Sequence, residues 1–117
     1  MKNTKEFMML FRYSPDFDYQ PSQEEMEAQH QSWGKFIGEL AISEKLVSTH
    51  QLGFEGMELK ADLTYNKGIK ISEGQTVGGN LIVKANSETE ALEIAKKCPI
   101  LNMGGTVEIR NTIPMDA

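Results

Sequence analysis

The chain has 117 residues with 39% hydrophobic and 25% charged side chains, close to the common size of one domain with a single core. Its net charge of −5 is spread along the chain, which disfavours nucleic-acid binding because phosphate neutralisation needs a basic surface. No stretch approaches the ~18 apolar residues of a membrane span, and the single Cys98 excludes an internal disulfide and fits a reducing compartment.

The opening MKNTKEFMMLFRY has an apolar run too short for a secretory signal, so the expected location is cytoplasmic. Residues 6–13, EFMMLFRY, read as an inner strand with large apolar groups on both faces, ended by the proline-rich SPDFDYQPS. A helix follows. SQEE is a capping box, with Ser22 and Glu25 able to satisfy first-turn amides reciprocally. Met26, His30, Trp33, Ile37 and Leu40 share one face at spacings of 4, 3, 4 and 3, and the helix should end near Ala41–Ser43.

KLVSTHQL, residues 45–52, is a second strand, and GFEG breaks the chain after it. MELKADLTY alternates cleanly and predicts one half-solvated strand, turned by NKG and returned by IKIS as a hairpin. EGQTVGG reads as a glycine-rich connection and NLIVKA, residues 80–85, as a buried strand. NSETEALEIAKKCPI predicts a second helix with a Ser87–Glu90 capping box, stopped by Pro99. TVEIRNT, residues 106–112, closes the chain as an alternating strand, with Val107 and Ile109 on one side and Thr106, Glu108 and Arg110 on the other.

The layout is β-α-β-β(β)-β-α-β in one domain over residues 1–117. It predicts an α+β ferredoxin-like sandwich with an extra hairpin strand, an antiparallel sheet and both helices on one sheet face. Arg12, Asn80, Lys84, Glu108 and Arg110 fall on alternate strand positions that would share the other face. Apolar groups interleaved with charges there predict a homodimer closing sheet on sheet.

The stretches FMMLFRY, SWGKFIGELAISEKLV, ISEGQTVGGNLIVKANSETEALEIAKKCPI and GGTVEIRNT, in that order over residues 6–112, resemble the YCII-related proteins and their DGPF-type subgroup. The Asp-Gly-Pro-Phe motif itself is absent; it would fall near GIKISEG. The resemblance implies a ferredoxin-like fold of the dimeric α/β-barrel kind and a homodimer. It also implies a candidate His–Asp acid/base pair, and for some members a link to transcription-factor genes.

Two histidines are the candidate catalytic groups, since imidazole titrates near neutral pH. His30 either lines a cleft at the helix edge or is a packed boundary histidine. His50, in STHQL, either sits at a barrel mouth with Glu73 or Asp62 holding its tautomer or is a surface strand residue. Trp33 and Tyr65 are candidate pocket walls, with core packing the other reading of Trp33. Arg12 and Arg110 either hold a carboxylate or phosphate, as a planar guanidinium does in a bidentate way, or pair with Glu108 or Glu73.

Cys98 reads as a small buried hydrophobe. The two histidines form no recognised ligand set, so neither metal nor cofactor is expected. EGQTVGG is not a phosphate loop, because no Gly-Lys-Ser/Thr end opens a helix; Gly78 and Gly79 instead predict a close backbone approach or a bulge. Two functions remain open from the sequence. One is a small-molecule-binding barrel with cofactor-free acid/base chemistry; the other is a non-enzymatic ligand-sensing or interaction module tied to transcription regulation.

Overall fold

The first strand, β1 (Lys5–Tyr13), takes an interior place in the sheet of the computed structural model. Its partners are β5 (Thr76–Ala85) on one side and β6 (Thr106–Asn111) on the other, both antiparallel. The second strand, β2 (Leu46–Gln51), pairs antiparallel with β5, giving the order β2-β5-β1-β6. The structure describes residues 4–16 and 20–115. The first three residues of the opening segment and the middle of the proline-rich connection, residues 17–19, lie outside the described residues.

Alternation decides the two sheet faces. Phe7, Met9 and Phe11 of β1 and Leu81, Val83 and Ala85 of β5 are buried on one of them. Phe36 and Leu40 of α1 (Gln23–Ile42) and Ala91, Ile94 and Ala95 of α2 (Glu88–Ala95) close the same core. Both helices therefore cover one face of an antiparallel sheet, an α+β arrangement consistent with a ferredoxin-like fold. No helix among the described residues is long and apolar enough to cross a membrane.

Local chemistry sets the helix ends. Ser22 Oγ accepts from the Glu25 amide at 3.1 Å and the Glu25 carboxylate accepts from the Ser22 amide at 3.4 Å, completing the expected box. At α2 only half of the expected box forms. Ser87 Oγ accepts from the Glu90 amide at 3.2 Å, while the Glu90 side chain accepts from Asn86 Nδ2 at 3.3 Å instead. The C-terminus of α1 carries Glu44 at φ 61, with the Lys45 amide donating to the Leu40 carbonyl at 2.9 Å. This is a left-handed helix cap in which glycine is the usual residue. Pro99 was expected to stop the second helix, but α2 already ends at Ala95, and Pro99 instead opens a 3-10 turn, Pro99–Met103.

Two segments differ from the sequence reading. MELKADLTY is not one strand: it folds into β3 (Met57–Leu59) and β4 (Tyr65–Lys67), paired with each other and separate from the main sheet. Asp62 is the reason. Its carboxylate accepts from the Thr64 amide at 3.0 Å and the Thr64 hydroxyl at 2.6 Å, and Leu63 takes φ 72, so the chain reverses inside the alternating run. IKIS consequently does not return as a strand, and only a Ser72–Gln75 bridge marks its end.

EGQTVGG is not all connection either, because β5 begins at Thr76 and includes both glycines. The β1–β5 register slips between Phe11 and Arg12, which pair with Gly79 and Val77, leaving Gly78 as the extra residue of a bulge. A Cβ on Gly78 would strike the Tyr13 ring, and one on Gly79 would lie 2.6 Å from the His50 carbonyl oxygen. The bulge and close approach expected of these glycines are both present.

The β3–β4 arm projects. The radius of gyration is 16.1 Å, against about 13 Å for a compact chain of this length. The arm's root is tied down by the Leu52 amide donating to the Gly78 carbonyl at 3.0 Å and the Thr76 hydroxyl donating to the Lys70 carbonyl at 2.8 Å.

Candidate functional site

The helix stripe expected to face inward does so over only half its length. Leu40 is buried and Trp33 and Ile37 half-buried, but Met26 is 51% exposed and His30 is exposed, while Phe36, which the stripe left out, is buried. Below the N-terminal half of α1 the sheet offers Tyr13 and two glycines rather than bulky aliphatic groups, so helix and sheet do not meet. The space between them is a cavity of about 750 Å³.

Its inner wall is aromatic. Phe11 and Trp33 meet edge-to-face with centroids 5.4 Å apart at 62°, and Trp33 stacks similarly on Phe36 at 6.2 Å and 78°. Tyr13 lies over the Gly78 bulge, which explains why that position has no side chain. Burial pushes the Tyr13 phenol up from its ordinary value, so it faces the cavity as a neutral hydroxyl. Met26, Gln29 and His30 supply the helix wall, residues 52–54 form the opposite lip, and Ile100 and Met103 of the 3-10 turn close one end. Among the described residues no Lys, Arg, Asp or Glu lines this space.

The sequence candidates separate into four places. His30 and Trp33 come together in the cavity wall. His50 borders the cavity at β2, but its ring is turned away. It pairs in register with Asn80, whose neighbour Leu81 is buried in the core, and its Nδ1 lies 3.2 Å from Asn80 Oδ1. The imidazole therefore lies on the uncovered sheet face, with the Asn80 amide as its partner. Glu73 sits in the turn before β5 at φ 54, exposed and outside the cavity walls.

Arg12, Arg110 and Glu108 share the uncovered sheet face. Arg12 Nη1 and Glu108 Oε1 are 2.5 Å apart, and Arg110 Nη1 lies 3.5 Å from Glu108 Oε2. The hydrogen bond from Arg12, helped by the charges of both arginines, holds the Glu108 carboxyl below its ordinary value. Tyr65 is on the projecting arm, 57% exposed and away from the cavity.

Cys98 is buried at 2% exposure, and burial pushes its thiol up to about 11, which leaves it protonated and unreactive at neutral pH. Among the described residues no group of three His, Cys, Asp or Glu side chains is placed to hold a metal ion.

Tyr13, Gln29 and Phe54 are cavity residues that the sequence reading did not single out. The double glycine was the one available signal for Tyr13, because a bulge that excludes a side chain makes room for a neighbouring ring. The chain matches no protein-family model and no curated protein.

Proposed function

We propose that this chain is a YCII-related protein that binds a small, uncharged aromatic molecule between sheet and helix, with His30 as the acid/base group of a cofactor-free reaction. The observation that carries this reading is the cavity of about 750 Å³ with an aromatic inner wall and polar His30, Gln29 and Tyr13 at its sides. That size and mixture suit a drug-sized ligand held by apolar contact and oriented by a few hydrogen bonds. The ordered series of stretches over residues 6–112 supports the family reading, and the buried, unpaired Cys98 supports a reducing, cytoplasmic setting.

An anionic ligand is disfavoured because Arg12 and Arg110 are engaged with Glu108 on the other sheet face. That face carries half-buried Met8, Leu10 and Ile82 inside a polar border, which supports a homodimer closing sheet on sheet. A non-enzymatic ligand-sensing module is the second reading, favoured by the lack of a carboxylate beside His30 among the described cavity residues. Such a partner commonly orients a catalytic imidazole.

The test is an NMR titration of both histidine rings and the Trp33 indole with phenol, indole and benzoate. Phenol and indole should move His30 and Trp33 and leave His50, on the opposite face, unmoved. If neither neutral probe moves His30, the binding reading fails. Acetophenone, an enolisable probe, then separates the two functions in heavy water. Deuterium entering the methyl group with the wild type and not with His30→Gln marks acid/base chemistry, whereas binding without exchange in both marks the sensing module.

A further inference from the structure

The β3–β4 arm wears its amphipathicity inside out. In register Met57 faces Lys67, Glu58 faces Asn66 and Leu59 faces Tyr65, so Met57, Leu59 and Tyr65 share one ribbon face with Lys67. The opposite face carries Glu58, which pairs with Lys70 of the returning chain at 3.0 Å. Glu58 is thus half-covered by the protein's own chain while the apolar face is open to solvent, with Met57 65%, Leu59 66% and Tyr65 57% exposed. At the tip Leu63 is 78% exposed and held at φ 72, a conformation that asparagine or glycine adopts at lower cost. A two-stranded ribbon alone in water is marginal at best and needs a packing surface.

We infer that this arm is a self-association surface, on which the apolar faces of two arms, one from each of two copies of this chain, pack on one another about a two-fold axis. Area and charge both favour a second copy as the occupant. The three ribbon residues and Leu63 together expose on the order of 500 Å², the apolar centre of a standard interface of roughly 800 Å² per partner. The arm's charges balance, with Glu55, Glu58 and Asp62 against Lys60, Lys67 and Lys70. Two copies of a chain with net charge −5 can therefore meet there without like-charge repulsion, and the arm has no cationic excess to draw it to an anionic membrane. An isologous contact asks only that one patch complement itself, which a flat apolar ribbon face does.

The inference rests on the homodimer reading in needing a second copy, and it adds the arm to the sheet face as a contact between the two chains. Sedimentation of the wild type, of Leu59→Lys with Tyr65→Ser, and of Leu10→Lys on the sheet face distinguishes them, with circular dichroism verifying the fold of each. The wild type should be a dimer, and the arm variant should weaken it roughly 30-fold or more, as loss of central apolar anchors does. An arm variant as dimeric as the wild type overturns the inference, and loss of the dimer only in Leu10→Lys leaves the sheet-on-sheet reading standing. A monomeric wild type overturns both. Hydrogen exchange supplies a check without substitutions. The amides of β3 and β4 should become protected as protein concentration rises, and free exchange at every concentration overturns the inference.

Discussion

At Gly79 an alanine methyl would stand 2.6 Å from the His50 carbonyl oxygen, in backbone that the β2–β5 pairing holds in place. Gly79→Ala should cost about 2 kcal/mol by overpacking, read as a fall of roughly 8 °C in the thermal midpoint. Glu44 presents the opposite case. At φ 61 it occupies a left-handed cap, and Glu44→Gly should gain about 0.5–1 kcal/mol in a urea melt. The glycine pair was legible because two glycines leading straight into a buried strand demand a steric cause. The strain at Glu44 was not, since its side chain gives no sign of the backbone it will adopt. His50 shows another limit. The β2–β5 register shifts between Leu46 and Ser48, and which face His50 takes follows from that shift rather than from counting residues.

Within α1 the stripe of Met26, His30, Trp33, Ile37 and Leu40 was readable as one face, but what that face meets depends on a neighbouring element. Ile37 and Leu40 find the core, whereas Met26 and His30 overhang the cavity. A methyl group added at Gly38 would have nothing within 4 Å. Gly38→Ala should therefore gain about 0.8 kcal/mol, measured as a higher urea midpoint at unchanged slope. The arm shows how alternation misleads. Ala61 and Leu63 continue the apolar beat through a turn that Asp62 makes by a side-chain hydrogen bond.

That turn and the sheet face also set the acid response. Hydrogen bonds from Thr64 hold the Asp62 carboxyl below its ordinary 3.8, and the bond from Arg12 holds Glu108 below 4.5. A lowered folded-state value means that each contributes stability above its ordinary value, losing it as pH falls through the folded one. Thermal midpoints should therefore be level above about pH 4.5 in this respect and decline below it. Glu108→Gln should remove its share of the decline.

Across the whole molecule the element order sufficed for the α+β layout, because the Ser22 and Ser87 caps and the alternation of β1, β5 and β6 agree locally with the fold. The position of the cavity did not follow from that order, since it arises where two elements fail to meet. The arm's projection did not follow either, because its apolar residues look the same in sequence whether a core or another chain covers them. Trp33 lies at the meeting point of these scales. It is the chain's one tryptophan, half-buried, with one edge on Phe11 and the cavity beside it. Its intrinsic fluorescence therefore arises from a single site with no competing indole. Whatever enters the cavity displaces the water next to that ring and shifts or quenches its emission, so the protein carries its own optical gauge of occupancy.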